Sequence, residues 1–201
     1  MGRRDVQRTE RFLRARENRS RVAHGRAGYL GSSVLGTDAH RAAAAAKGPI
    51  PVGLVTVSDT RTTETDENGS WLREQVEASG NRVSGYHVVR DEPEEVRAAV
   101  DELAAEARVV LVNGGTGVSG RDTTYDTLAA LLEKTLPGFG ELFRMLSFEE
   151  VGAAAMLSRA TAGTYRGAVV VSMPGSPKAV RLAWEKLLEP ELAHLAWEVG
   201  R

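Results

Sequence analysis

The sequence predicts an α/β fold, a three-layer sandwich with a mostly parallel central sheet and helices on both faces. Three observations support this class. From Pro51 onward, short apolar runs alternate with longer segments that carry one apolar stripe at helical spacing, which is typical of right-handed βαβ units. Some runs are apolar throughout, as in strands buried on both faces of a parallel sheet. Polar and glycine-rich segments follow these runs, where open α/β sheets bind their ligands.

The chain has 201 residues, and its first part differs in composition from the rest. Residues 1–26 contain nine arginines and three acids, an excess of six positive charges, so residues 27–201 carry a net charge of −7. A short alanine helix, Ala42 to Ala46, precedes the breaker Lys47-Gly48-Pro49. We therefore predict an Arg-rich N-terminal extension over residues 1–48 and one folded domain over residues 49–201. The extension is expected to be partly flexible or packed on an acidic neighbouring subunit, with nucleic-acid contact and organelle targeting as alternatives.

Composition excludes several classes of site. The chain has no cysteine, which excludes disulfides, thiolate metal sites and thiol nucleophiles. No apolar run approaches the roughly 20 residues of a membrane span. A net charge of −1 and an aromatic content of 5% argue against a nucleic-acid partner. The four histidines are scattered along the chain and resemble surface or core residues more than zinc ligands. We expect a cytoplasmic protein with no membrane partner.

The first half of the domain gives two strands and two helices. Val52 to Val57 is a continuous apolar run and predicts the first strand. Asn68, Gly69 and Ser70 offer helix caps ahead of an apolar stripe that stops at Gly80. Arg82 to Val89 predicts the second strand, and Pro93 suits the first turn of the next helix. Each predicted strand is followed by a helix, as a parallel sheet requires.

The third strand and the glycine-rich loop after it hold the strongest local signal. Val109 to Val112 is a buried-strand run, and four of the next eight residues are glycines, Gly114, Gly115, Gly117 and Gly120. Glycines permit positive φ angles and let backbone N–H groups face an anion. Thr123 to Asp126 has the form of a capping box and opens a helix. A strand, a glycine loop and a helix start together predict a phosphate site.

Two familiar phosphate motifs overlap this loop, and neither fits. The spacing of Gly115, Gly117 and Gly120 satisfies G-x-G-x-x-G, but the acid that the dinucleotide fingerprint needs at the end of the next strand is missing. A P-loop would need lysine and a hydroxyl residue where Arg121 and Asp122 stand. An acid inside a phosphate cradle repels the ligand unless a divalent cation lies between them. Asp122 is therefore the most informative residue of the loop.

The second half is less regular. It predicts, in order, a turn over Pro137 to Gly140, a short helix over Glu141 to Leu146, a small-residue helix over Glu149 to Arg159, a hairpin of Thr161 to Tyr165 and Ala168 to Met173, and closing helices from Ser176 and from Glu191 to Val199. Ser176 suits the N-cap position because proline follows it.

The unusual polar clusters all follow predicted strands. They are Ser58-Asp59, Asp91, Gly114 to Asp122, and Pro174 to Lys178. Asp91 and Asp122 each suit a helix cap when taken alone. Together, beside a glycine cradle, they predict a Mg²⁺ site that holds the phosphates of a nucleotide. Arg121 and Lys178 are either phosphate partners or solvated charges at helix ends.

Several long motifs, in order, resemble the MoaB/MogA family of molybdenum cofactor biosynthesis proteins. The motifs are SDTR (Ser58 to Arg61), NGGTG (Asn113 to Gly117), RDTT (Arg121 to Thr124), LPGFGELFRMLSFEE (Leu136 to Glu150), MLSRATAG (Met156 to Gly163) and MPGSPKAV (Met173 to Val180). The resemblance covers about Pro51 to Leu195. The LFRMLSFEE and MLSRA stretches look most like the MoaB branch.

The resemblance implies a molybdopterin-binding fold and, in active members, adenylylation of molybdopterin by ATP with Mg²⁺. The two acids essential to the family match Asp91 and Asp122, as catalytic residues and metal ligands. The resemblance also implies substrate-binding residues, which are Ser58, Asp59, Gly114, Gly115, Thr116, Gly117, Pro174, Gly175 and Ser176. Lys178 joins this set as the phosphate partner considered above. The resemblance further implies self-association as a trimer or hexamer. The alternatives are a non-catalytic molybdopterin carrier or assembly scaffold, and an ordinary nucleotide-binding oxidoreductase.

The chain departs from the family pattern at three places near these residues. Thr124 and Tyr125 stand in a segment where the family has threonine and proline before an acid. The family's acid-x-Ser-Gly segment appears as Asp66-Glu67-Asn68-Gly69, and Arg90 precedes Asp91 where a proline is usual. These departures leave both acids in place and bear on the shape of the pterin pocket. They are one motivation for the carrier alternative.

Overall fold

The computed structural model describes residues 48–200. The predictions for the extension before Gly48, the Ala42 to Ala46 helix, His24 and His40 lie outside the described residues. Within residues 48–200, no helix is both long and apolar enough to cross a membrane.

The domain is built on one six-stranded sheet. The strands are β1 (Pro51–Val57), β2 (Arg82–Val89), β3 (Val109–Asn113), β4 (Lys134–Thr135), β5 (Thr161–Tyr165) and β6 (Ala168–Met173). Their order across the sheet is β2-β1-β3-β6-β5-β4. The neighbouring strands β2, β1, β3 and β6 are parallel, whereas β5 runs antiparallel to β6 and β4 antiparallel to β5. The predicted mostly parallel sheet and hairpin are confirmed, and β4 is a short edge strand that the sequence did not indicate.

Within residues 48–200, six α-helices surround the sheet. They are α1 (Glu67–Ala78), α2 (Pro93–Ala104), α3 (Thr124–Leu131), α4 (Pro137–Val151), α5 (Pro177–Ala183) and α6 (Leu192–Glu198). A 3₁₀ segment, Gly152–Leu157, follows α4. A π-helical turn, Trp184–Leu188, and a 3₁₀ turn, Glu189–Glu191, join α5 to α6.

Two hydrophobic cores lie on opposite faces of the sheet, which confirms the three layers. Alternate residues of β1 enter each core, Leu54 on one face and Val55 on the other. The first core is covered by α1, α4, α5 and α6, and the second by α2 and α3. Strand β3 lies in the middle, and all five of its residues are buried. Burial on both faces explains why its sequence is a continuous apolar run.

Helix α1 begins earlier than the caps predicted at Asn68, Gly69 and Ser70. Its N-cap is Asp66, whose Oδ1 accepts the N–H of Asn68 at 3.1 Å. An aspartate in extended backbone is a strong N-cap, so the candidates two to four residues later fall inside the helix. The predicted stop is confirmed, since Gly80 follows the C-cap with a φ of +78°.

The predicted element boundaries between Pro137 and Arg159 are wrong, although Glu141 to Leu146 is helical as predicted. Pro137 to Gly140 is the first turn of the 15-residue helix α4, not a turn that precedes a shorter helix. Proline is favourable in the first turn of a helix, and Gly140 serves close packing, because a Cβ there would lie 2.5 Å from the Ala160 carbonyl oxygen. The predicted helix from Glu149 to Arg159 is instead the end of α4, the 3₁₀ segment and extended chain. The break falls at Gly152, which has a φ of +63°.

Candidate functional site

The parallel strands end together at one rim of the sheet. Val57 is paired with Val89, and Asn113 with both Thr56 and Met173. Ser58, Gly114 and Pro174 directly follow these ends, and Asp91 follows its strand by two residues, so the structure brings all four predicted polar clusters to the same rim.

Two glycines at the start of the loop are required by its packing. Gly114 has a φ of +108° and Gly115 a φ of +62°. A Cβ on Gly114 would lie 2.2 Å from the Val57 carbonyl oxygen, and one on Gly115 would lie 2.1 Å from Thr124 Oγ1 and 2.5 Å from Asp91 Oδ2. The Gly114 N–H donates to the Met173 carbonyl at 3.0 Å. The loop is therefore held tightly between β1, β6 and the Asp91 carboxylate.

Asp91 binds the start of helix α3 from a different part of the chain. Its Oδ1 accepts the Thr123 N–H at 3.2 Å, the Thr123 hydroxyl at 2.9 Å and the Thr124 hydroxyl at 3.0 Å. The predicted capping box is wrong, because the Thr123 side chain makes no capping bond and Asp126 pairs with Arg159. The Asp91 carboxylate accepts the Thr123 N–H in place of a capping side chain from the start of α3.

Asp122 packs on the same loop. Its Oδ2 accepts the Ser119 N–H at 2.9 Å and would lie 2.7 Å from a Cβ on Gly117. Asp91 contacts Gly115 in the same way, and its partner Thr123 directly follows Asp122. Both acids therefore lie against one short stretch of backbone. Residues 48–200 contain no cluster of three or more His, Asp or Glu side chains suited to a metal, so a cation here would take further ligands from a bound phosphate or water.

A cavity of about 410 Å³ opens beside the loop. Its first wall is Gly114 to Gly117 with Asp122, and its second is Pro174 to Ser176 with Lys178. All the predicted site residues line it except Asp91, Ser58 and Asp59.

The residues after β1 lie outside the cavity wall. Ser58 Oγ accepts the N–H groups of Thr60 and Arg61, at 3.3 and 3.2 Å, and so closes the turn after the strand. Asp59 accepts a hydrogen bond from Arg121 at 2.6 Å. Asp59 therefore contacts the glycine loop through Arg121. The sequence analysis left two roles open for this arginine, a phosphate partner or a solvated charge.

The third wall of the cavity was missed by the sequence reasoning. It comes from α4, the 3₁₀ segment and α5, and its residues are Phe143, Ser147, Glu150, Val151, Ala154, Ala155, Leu157, Ser158, Ala179 and Leu182. Phe143, Ser147 and Val151 repeat at i, i+4 spacing, which places them on one helix face. That signal is visible only when Pro137 to Val151 is recognised as one continuous helix.

A buried amide network fixes the second wall to the sheet. Asn113 donates to the Val55 carbonyl at 3.2 Å and to Thr56 Oγ1 at 2.8 Å. Asn68 donates to Asn113 Oδ1 at 3.2 Å and to the Gly175 carbonyl at 2.8 Å. Asn68, predicted as a helix cap, therefore links α1 to the Pro174 loop.

The carboxylate that caps α1 is held in its ionised form. Burial alone would raise the pKa of Asp66, but hydrogen bonds from Thr56, Tyr86 and the Gly69 N–H, with the charge of Arg61, outweigh burial and lower it. The Tyr86 hydroxyl donates to Asp66 Oδ2 at 2.6 Å. Burial, this hydrogen bond and the nearby negative charge raise the pKa of Tyr86. At neutral pH, Asp66 is therefore ionised and the Tyr86 hydroxyl keeps its proton.

A family model, a curated relative and solved structures each match most of this domain. Residues 53–194 match the family model described as a probable molybdopterin binding domain. The chain is similar to the molybdenum cofactor biosynthesis protein B of Bacillus cereus, with 50% identity over 153 residues, 74% of this chain and 89% of the relative.

Solved structures show the same relationship. The fold is similar to a crystal structure of molybdenum cofactor biosynthesis protein B, with a TM-score of 0.72 and 48% identity over 75% of this chain and 96% of that one. It is also similar to the tungsten cofactor synthesizing protein MoaB from Pyrococcus furiosus, with a TM-score of 0.69 and 36% identity over 76% and 98% of the two chains.

Proposed function

This chain belongs to the MoaB/MogA family of molybdenum cofactor biosynthesis proteins, and we propose that it adenylylates molybdopterin with ATP and Mg²⁺. Family membership gives the coarser statement, a molybdopterin-binding domain in molybdenum cofactor biosynthesis. The observation that carries the finer proposal is that Asp91 and Asp122 pack on the same glycine loop, beside a cavity of about 410 Å³.

In the proposed reaction, an oxygen of the terminal phosphate of molybdopterin attacks the α-phosphorus of ATP. A new phosphorus–oxygen bond forms there, the bond to the β-phosphate oxygen breaks, and pyrophosphate leaves with the bonding electrons. No protein nucleophile is needed, so the residues act by positioning and electrostatics. Thr116 and Gly117 would hold the phosphate of the pterin, and Lys178, on the facing wall, would offset its negative charge.

The two carboxylates suit Mg²⁺, which prefers oxygen ligands. Within residues 48–200, the hydrogen bonds that reach the Asp91 carboxylate all fall on Oδ1. Oδ2, on the side of Gly115, would be the oxygen that holds a cation. When bound there, Mg²⁺ would neutralise charge on the phosphates. The proposal places this activity in the cytoplasm, where ATP is available.

The test is an assay on the full-length protein with molybdopterin, ATP and Mg²⁺. We expect release of pyrophosphate and formation of adenylylated pterin, detected by mass spectrometry. Asp122→Asn keeps an acceptor for the Ser119 N–H but removes the charge, so turnover should fall at least about 100-fold while pterin binding changes little. Asp101→Asn is the control, because Asp101 contacts Tyr165 and Arg166 at the opposite end of β6. Absence of product with every divalent metal tried would contradict the proposal.

A non-catalytic molybdopterin carrier or assembly scaffold is the second candidate. It is favoured by the hydrogen bonds that Thr123 and Thr124 donate to Asp91, which occupy one oxygen of this carboxylate within the protein. The same assay separates the two candidates. A carrier would bind molybdopterin and release no pyrophosphate from ATP.

We also propose that the protein self-associates as a trimer or hexamer. Support comes from the apolar face, defined as Leu142, Met145 and Phe148 of α4 with Met156 and Leu157 of the 3₁₀ segment. Each of these side chains is at least 48% exposed. Soluble monomers rarely expose large apolar side chains in a continuous patch. The α4 members follow one another at a spacing of three residues and so form a ridge on the helix.

A further inference from the structure

Arg159 donates hydrogen bonds to two backbone carbonyls of the glycine loop, although the sequence reasoning gave it no role. It lies in the extended chain after the 3₁₀ segment, and its side chain is 27% exposed. Its Nε donates to the Thr116 carbonyl at 3.4 Å and its Nη2 to the Asp122 carbonyl at 2.8 Å. Nη1 contacts both oxygens of Asp126, at 3.1 and 2.9 Å. The guanidinium carbon lies 4.8 Å from the centre of the Tyr125 ring.

The two carbonyl contacts determine where two N–H groups point. In a trans peptide, the carbonyl of one residue and the N–H of the next face opposite directions. Because the Asp122 carbonyl faces Arg159, the Thr123 N–H faces away from it, and this N–H donates to Asp91 Oδ1 at 3.2 Å. The Thr116 carbonyl likewise turns the Gly117 N–H away from Arg159, in the stretch that lines the cavity.

We infer that Arg159 is a positioning residue that holds the Asp91–Asp122 pair and the Gly117 N–H in register for an anionic, metal-bound ligand. This inference rests on the proposed function. The Asp126 ion pair and the Tyr125 ring fix the guanidinium on one side, and its remaining donors reach both ends of the Gly117 to Asp122 turn. Lysine cannot replace it, because one ammonium group lacks the planar fork that spans these acceptors.

A second arginine of the described domain, Arg166, also has an acid partner and a neighbouring tyrosine ring, but it does not contact the glycine loop. Arg166 forms an ion pair with Asp101 at 3.1 Å and lies 5.6 Å from the centre of the Tyr165 ring. An exposed ion pair of this kind contributes little to stability. Arg166→Lys is therefore a matched control for Arg159→Lys. It tests what an arginine, an acid and a tyrosine ring contribute when no loop carbonyl is involved.

The first measurement is amide hydrogen exchange of the metal-free, ligand-free protein. Arg159→Lys should speed exchange of the Thr123 N–H about tenfold, because its hydrogen bond to Asp91 loses alignment. Arg166→Lys should leave that rate at the wild-type value. Asp126→Asn, which keeps an oxygen acceptor for Arg159, should give an intermediate rate. This second variant provides the test if Arg159→Lys does not fold. Wild-type exchange at Thr123 in Arg159→Lys would overturn the inference.

The second measurement is the Mg²⁺ concentration that gives half-maximal turnover. Residues that orient metal ligands typically change metal affinity or activity 10- to 100-fold when they are replaced, so we expect a rise of about tenfold in Arg159→Lys. A purely structural role would lower the active fraction and leave this midpoint unchanged, which would also overturn the inference. If the wild-type protein makes no product, the proposed function fails, and the exchange rates still decide the role of Arg159.

Discussion

At the residue scale, the glycine loop is defined by how little space surrounds its backbone. Gly115 combines a φ of +62° with a Cβ position that Thr124 and Asp91 already occupy. Gly120 is in the same loop, but a Cβ there would meet nothing within 4 Å. The two glycines therefore have different roles. Gly115 allows Asp91 to approach the backbone, whereas neither the φ angle nor packing requires a glycine at position 120.

This difference predicts unequal effects of alanine at the two positions. Gly115→Ala should lower the free energy of unfolding by at least about 2 kcal/mol, because positive φ and steric overlap both oppose a side chain. Gly120→Ala should change it by less than about 0.5 kcal/mol. Urea denaturation of both variants checks this, and equal stabilities would show that the loop can relax around a Cβ.

At the scale of the element, helix α1 depends on one ionised carboxylate. Asp66 caps the helix, accepts the Tyr86 hydroxyl and contacts Arg61 at 3.2 Å. Because the helix carries Asn68, which donates to the Gly175 carbonyl, the cap also supports one wall of the cavity. A change in the charge of Asp66 should therefore affect stability and the Pro174 loop together.

The lowered pKa of Asp66 predicts how this contribution depends on pH. A carboxyl group whose folded pKa lies below its unfolded value stabilises the fold above the unfolded pKa, near 3.9, and loses that effect as pH falls through the folded pKa. Between about pH 5 and pH 2, the wild type should lose more stability than Asp66→Asn, which lacks this titration. Thermal unfolding across this range provides the measurement. Parallel curves for the two proteins would contradict the assignment.

At the scale of the whole molecule, the exposed apolar face predicts assembly. Replacing Phe148, which is 61% exposed, with lysine adds a charge to the C-terminal end of the α4 ridge and should reduce the particle mass. Light scattering should show a trimer or hexamer for the wild type and a smaller species for Phe148→Lys. The control is Leu136→Lys, because Leu136 is also exposed but precedes α4. A wild-type monomer at micromolar concentration would remove the expectation.

Much of this architecture could be predicted from local sequence. Strands buried on both faces, such as β3, are continuous apolar runs, and residues directly after parallel strands meet at one rim. Asp91 and the Gly114 loop were predicted to be neighbours for that reason. Their proximity in the structure agrees, whereas their roles in catalysis stay predictions.

The parts that could not be predicted depend on contacts distant in sequence. The segment from Pro137 to Gly140 has the composition of a turn, and it is helical partly because Gly140 packs against the carbonyl of Ala160, twenty residues later. Arg159 was missed for the same reason, since the carbonyls it binds belong to Thr116 and Asp122. Backbone acceptors leave no trace in the sequence, so only the folded chain identifies such a residue.

The position of β3 has a consequence for how ligands can be detected. The strand lies between the two cores, and the glycine loop is its direct continuation. Core strands of this kind open only when the whole domain unfolds, and a compound that binds the folded loop binds a state that is lost in that same transition. A compound that occupies the loop should therefore raise the melting temperature of the entire domain, by an amount that grows with its concentration relative to its Kd. Simple thermal-shift screening thus offers a direct route to candidate substrates.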